Sequence, residues 1–114
     1  MPDRTAQLSQ VFQALADPTR RAVLQRLSRG PVPTLELART FNMALPSFTQ
    51  HLNVLENSGL VRSKKHGRVR TYALAPGRLQ AAEDWLTNQR KLWERRLDQL
   101  DAYLLTMKES DDAK

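Results

Sequence analysis

Hydrophobic positions recur along this chain at helical spacing, except in one segment where they alternate. Residues 5–16 (TAQLSQVFQALA) place Leu8, Val11, Phe12 and Leu15 at i, i+3, i+4 and i+7, one face of an amphipathic helix. A second helix follows where Asp17 suits the N-cap, Pro18 the first turn and Gly30 the position past the end; Val23, Leu24 and Leu27 form its stripe. A short third helix has Thr34 as its expected cap, Glu36 in the first turn, and Leu37, Ala38 and Phe41 facing inward. Asn42 can take the left-handed conformation that ends it. A fourth helix, residues 46–58, opens at Pro46, turns Phe48, Leu52 and Leu55 inward, and closes at Gly59.

After Gly59 the period changes from helical to two. In LVRSKKHGRVRTYAL, Arg70, Tyr72 and Leu74 share one face and Val69, Thr71 and Ala73 the other, with Gly67 marking a turn. This predicts a hairpin over residues 61–74, leaning on the helices because an isolated hairpin is marginal. About four residues separate helices three and four, the length of a helix-turn-helix connection. The predicted fold is therefore mainly α with a small β-hairpin: a winged helix-turn-helix in one domain of 114 residues.

A long last helix is expected over residues 79–107, about 44 Å at 1.5 Å per residue. Leu79, Leu86, Trp93, Leu97, Leu100, Leu104 and Met107 fall on a coiled-coil-like seam, interrupted where Arg90 takes a core position. Trp85 and Tyr103 widen its apolar surface. So small a domain cannot cover such a seam along its whole length; ordinary core packing is one reading, and packing against a second chain, with Leu8 and Phe12 of the first helix joining in, is the favoured one. The tail ESDDAK is expected to fray.

The net charge of +6 is unevenly placed. Arg62, Lys64, Lys65, Arg68 and Arg70 fall within residues 61–75 with no acid among them, while the long C-terminal segment is close to neutral. A basic hairpin suits a polyanionic partner. The fourth helix adds chemistry of its own. Away from its apolar side stand Ser47, Thr49, Gln50 and Asn53, with His51 at the border and no acid before Glu56. A plain surface helix would carry Lys and Glu there. Uncharged hydrogen-bonding groups are what a helix in the major groove needs to read base edges, and Gln or Asn can be bidentate to adenine. His51 is read as a phosphate contact, with a local backbone cap as its other use; His66 is read as a solvated turn residue.

FQALADPTRRAVLQRL and LARTFNMALPSFTQHLNVLENSGLVRSKKHGRVRTYAL, at their spacing, resemble the ArsR-type winged-helix transcriptional repressors over roughly residues 8–75. The resemblance implies a homodimeric repressor on a palindromic operator, often controlling its own operon, with a dimer interface built by the first and last helices. Carried over by position, Ser47, Thr49, Gln50 and His51 match the DNA-contacting part of the recognition helix, and Lys64, Lys65, Arg68 and Arg70 match the wing. Leu8, Phe12, Leu86, Trp93, Leu97, Leu100 and Leu104 fall in the implied interface. The chain departs from the metal-sensing members, which carry Cys-x-Cys where Pro33 and Leu35 stand here, or Asp/His and His/Glu pairs on a last helix that here has no histidine. It resembles instead a metal-free branch whose tail reads WL…R..WE.RLD.LD.YL.

The rest of the sequence mostly excludes. With no cysteine there are no disulfides, thiolate metal sites or thiol redox switches, and two histidines give no metal-ligand spacing, so neither metal nor cofactor is expected. No glycine-rich phosphate loop or ordered Ser/His/Asp arrangement suggests an enzyme. Apolar runs are too short for a membrane span and the N-terminus lacks signal-peptide order, so a cytoplasmic protein is expected. A winged helix serving as a protein-interaction module is the alternative; the apolar seam suits it, the uncharged helix face and basic wing do not.

Overall fold

A computed structural model describes residues 4–112 of the chain. The elements are α1 (Arg4–Leu15), α2 (Pro18–Leu27), β1 (Val32–Pro33), α3 (Thr34–Phe41), α4 (Leu45–Asn57), β2 (Val61–His66), β3 (Val69–Leu74) and α5 (Pro76–Asp112). They divide after Ala82 into two compact units.

The first unit packs α1–α4, the sheet and the first residues of α5 around one core. Leu37, Phe48, Leu52 and Leu55 are fully buried, joined by Val11, Ala14, Val23 and Leu27 from the first two helices. The Phe41 and Phe48 rings stack with centroids 5.5 Å apart, linking α3 to α4 across the turn between them. That turn is short because Asn42 takes the left-handed conformation (φ 49°, ψ 45°) expected of it.

Other caps follow the sequence closely. The Asp17 carboxylate accepts the Arg20 amide at 3.0 Å with Pro18 in the first turn of α2. α4 ends in a Schellman motif: Leu60 N–H donates to Leu55 O at 3.1 Å, and Gly59 N–H to Glu56 O at 3.0 Å. Gly59 sits at φ +80°, and a Cβ there would come within 2.5 Å of Arg78 Cγ, so conformation and space both call for glycine.

The sheet is larger than the expected hairpin. It has three antiparallel strands in the order β1-β3-β2, with Val32 opposite Tyr72 and Pro33 opposite Thr71. Proline is tolerated in β1 because that strand is short and lies at the edge. This pairing also corrects the role of Thr34. Pro33 is the N-cap of α3, and Thr34, already helical, donates its hydroxyl to Arg70 O at 2.9 Å, tying α3 to β3.

The second unit is the rest of α5, a helix of 37 residues that begins earlier and ends later than the sequence suggested. Glu109 to Asp112, expected to fray, continue the helix; Ala113 and Lys114 lie outside the described residues. Every residue from Arg90 to Ser110 is exposed, including Trp93 at 61% and Leu97 at 59%. Leu86, Leu100 and Leu104 are exposed as well, whereas Leu8 and Phe12 of α1 are partly buried against the chain's own core. Among the described residues, no helix is long and apolar enough to cross a membrane.

Candidate nucleic-acid interface

The burial of Phe48, Leu52 and Leu55 turns the opposite side of α4 outward. Ser47, Gln50 and Asn53 are exposed on that side, while Thr49 and His51 are half-buried at its two edges. The helix starts without a side-chain cap, because Ala44 holds the N-cap position, and it has no acid in its first turn. Among the described residues no side chain or acid engages its leading amides, Pro46 has none to offer, and the helix dipole at this end favours an anion.

The two edges of α4 are fastened differently. On one, Glu56 is half-buried and its Oε1 accepts the Ser63 hydroxyl of β2 at 2.8 Å; Ser63 Oγ in turn accepts Arg70 Nη1 at 2.7 Å. The first acid of the helix is thus directed at the sheet. Tyr72, paired with Ser63 in the sheet, is buried, and burial pushes its phenol above its ordinary range, with the nearby Glu56 charge adding to the effect.

On the other edge, His51 Nδ1 lies 3.3 Å from Arg20 Nη1 and 3.8 Å from Asp17 Oδ2. Asp17 titrates below its ordinary value, chiefly because its carboxylate accepts the Arg20 amide; its partial burial works against this, and the charges of His51, in its protonated form, and of Arg20 add to the lowering. Arg20 is itself held at the end of α1, donating from Nε to Ala14 O at 2.8 Å and from Nη2 to Gln13 O at 2.9 Å. Arg21 similarly donates to Leu15 O at 2.7 Å.

The strand register sorts the basic hairpin into two faces. Val61 opposite Leu74, Ser63 opposite Tyr72 and Lys65 opposite Arg70 share the face that Val61 and Tyr72 bury toward the helices. Arg62, Lys64 and His66 lie on the other face, where together with Thr71, Ala73 and Pro31 they line a shallow groove. Lys64 and Lys65, neighbours in sequence, are therefore on opposite faces. Arg68 stands in the two-residue turn beside Gly67, whose φ of +65° suits the first position of a type II′ turn. His66 is the last residue of β2, not part of the turn.

The structure joins α4 to the hairpin through Glu56, Ser63 and Arg70, and it adds four residues that periodicity did not mark. Arg20 and Asp17 join His51, and Glu56 and Ser63 join Arg70. Asp17 was legible only as a cap. Among the described residues no group of three or more His, Asp or Glu side chains is placed to hold a metal ion.

A family model described as a helix-turn-helix domain matches residues 15–64. The chain is 41% identical over 96 residues to the HTH-type transcriptional regulator Rv2034 of Mycobacterium tuberculosis, covering 84% of this chain and 81% of that one. It is 33% identical over 81 residues to the transcriptional repressor SdpR of Bacillus subtilis, covering 71% and 90%. Among solved structures, an ArsR family transcriptional regulator is similar at 56% identity with a TM-score of 0.76, covering 82% of this chain and 97% of that one. A homodimeric winged helix-turn-helix DNA-binding domain from Mycobacterium bovis is similar at 26% identity with a TM-score of 0.61, covering 81% and 91%. The chain belongs to the ArsR family of winged helix-turn-helix, DNA-binding transcriptional regulators.

Proposed function

We propose that the chain is a dimeric repressor that sets α4 in the major groove of a palindromic operator and grips the flanking phosphates with its wing. The observation that carries this reading is the outer side of α4. Ser47, Gln50 and Asn53 are exposed, uncharged and able to hydrogen-bond, and the one acid of the helix is drawn aside to Ser63. A groove-reading helix needs that combination, because a carboxylate at its tip would repel phosphate. Gln50 and Asn53 are the base-reading candidates, Ser47, Thr49 and His51 the flanking contacts. Lys64, Lys65 and Arg68 supply charge for phosphate. Arg70 is engaged with Ser63 in the unbound chain and contributes to the wing from there.

The dimer is supported by the exposed apolar side of α5 around Trp93, Leu97, Leu100 and Leu104, and by the homodimeric state of a related structure. An exposed apolar surface of this extent calls for a partner, and a second α5 presents the same residues. Two-fold symmetry in the protein then asks for two-fold symmetry in the operator. Repression follows the similarity to a transcriptional repressor, and control of its own operon is what the family resemblance implies. The family consists of regulators, not enzymes, and a cytoplasmic place of action is part of the same proposal.

We further place the chain in a branch without the family's cysteine and histidine sensor sites. Pro33 and Leu35 stand where the metal-sensing members carry cysteines, and α5 contains no histidine.

A reporter gene placed behind the region upstream of this chain's own gene tests the proposal. Co-expression of the chain is expected to lower reporter output, and Gln50→Ala to restore it while protein levels stay the same. Unchanged output with the intact chain would count against repression at that site.

A further inference from the structure

The environment of His51 is more specific than a phosphate-contacting side chain requires. Its Nδ1 lies 3.3 Å from Arg20 Nη1. A guanidinium has five N–H donors and no acceptor, so a neutral imidazole can meet it only through a ring nitrogen that carries no hydrogen. Nδ1 is then the acceptor and the single ring hydrogen resides on Nε2, at the far side of the ring. Asp17 would favour the opposite arrangement, since a carboxylate attracts an Nδ1–H. Its Oδ2, however, is 3.8 Å from Nδ1, beyond hydrogen-bond reach, and is already engaged by the Arg20 amide at 3.0 Å.

Arg20 is also prevented from turning away. Nε donates to Ala14 O at 2.8 Å and Nη2 to Gln13 O at 2.9 Å, so two α1 carbonyls fix the guanidinium plane and leave Nη1 to the imidazole. A flexible ammonium could not make all three contacts in one plane. The three partners of this side chain thus tie the end of α1 and a ring on the edge of α4 to the start of α2, where Arg20 stands.

We infer that Arg20 is a positioning residue which fixes the neutral His51 ring as its Nε2–H tautomer, so that His51 offers Nε2–H to a backbone phosphate of the operator. This deepens the function proposed above and rests on it for the identity of the acceptor. The tautomer itself does not depend on that reading. A ring held this way presents one donor and no competing acceptor, which suits a phosphate oxygen and not a base-edge donor. His51 would then contribute affinity and register, leaving discrimination among sequences to Gln50 and Asn53.

Long-range proton–nitrogen NMR correlations on nitrogen-15-labelled full-length protein at about pH 8.5, above the ordinary titration range of histidine, read the tautomer directly. His66→Gln identifies which of the two ring signals belongs to His51. The expected spectrum shows a protonated Nε2 and an unprotonated Nδ1, and Arg20→Lys, which keeps the charge but not the fork, gives a mixture of tautomers. In duplex binding, His51→Ala and Arg20→Lys are each expected to weaken the affinity of the dimer roughly a hundredfold, as for loss of one hydrogen bond to a charged group, about tenfold, from each of two chains. Combined, they should cost no more than His51→Ala alone.

A wild-type ring protonated at Nδ1 would overturn the inference without recourse to any variant. So would an Arg20→Lys penalty that is the same with and without His51, because Arg20 would then act by another route. A chain that binds no duplex at any salt concentration would instead refute the function proposed above. The spectrum would still decide whether Arg20 sets the ring.

Discussion

Ser63 and Glu56 are joined across the boundary between β2 and α4 by a 2.8 Å hydrogen bond from the serine hydroxyl to Oε1. The bond couples the candidate reading helix to the wing, and Arg70 extends it by donating to the same hydroxyl oxygen at 2.7 Å. A position that sequence similarity assigns to phosphate is therefore occupied within the fold.

The consequence can be read from salt dependence. Lys64→Ala or Lys65→Ala is expected to reduce the slope of log affinity against log salt by about 1.8 for the dimer, the share of one phosphate contact from each chain. Arg70→Ala should leave that slope nearly unchanged and weaken all duplexes alike by about 1 kcal/mol, as should Ser63→Ala. The Arg70→Ala/Ser63→Ala pair should cost little more than either alone. A slope lowered by a full contact in Arg70→Ala would return Arg70 to the phosphate backbone.

Gln50 gives a different signature. Exposed in the middle of the uncharged side of α4, its change to Ala is expected to alter preference among operators by about 1–3 kcal/mol at the base pair it reads. Competition between duplexes differing at single positions measures this. A uniform loss over all of them would move Gln50 from reading bases to holding backbone.

The sequence displays the helices and the wing because their ends are marked by residues with strong local preferences: Asp17 and Pro18 at the start of α2, Asn42 at the end of α3, Gly59 at the end of α4, Gly67 in the turn. β1 carries no such mark. It is two residues long, one of them proline, and exists because β3 accepts it at an edge. Thr34 does not cap α3 for a similar reason, since its hydroxyl is claimed by Arg70 O, a partner 36 residues away. Arg20 and His51 lie 31 residues apart on separate helices, a meeting that no spacing rule foresees. Contacts of this kind arise from how elements pack, and in this chain they are what equips the edges of α4.

The cap at Asp17 makes stability sensitive to acid. Its folded-state pKa is depressed, so its contribution is fully present above the ordinary carboxylate value near 3.8 and is lost as pH falls through the lower folded value. Asp17→Ala is expected to cost about 1 kcal/mol at neutral pH, and Asp17→Asn less, because Asn also caps. Urea titrations at pH 7 and at pH 2–3 check both: the wild-type and Asp17→Ala midpoints should converge at the acid end. A gap that persists there would mean that Asp17 stabilises the fold by something other than its charge.

The exposed seam of α5 predicts a dimer that a single side chain can weaken. Leu97→Ala removes about 2 kcal/mol of apolar burial per chain, about 4 kcal/mol per dimer, which raises the dimer dissociation constant by roughly a thousandfold. Sedimentation velocity over a concentration series should show wild-type dimers and Leu97→Ala monomers at the same low micromolar concentration, with the helical signal intact. Equal behaviour of the two proteins would remove α5 from the interface.

The central claim, that α4 and the wing form a sequence-reading DNA surface in a dimer, is tested most directly by fluorescence anisotropy. A labelled duplex from upstream of this chain's own gene and a shuffled duplex of the same composition would be titrated at two salt concentrations. The account predicts preference for the native duplex, saturation at two chains per site, and affinity that falls steeply with salt. Weak binding that is equal for both duplexes would contradict it.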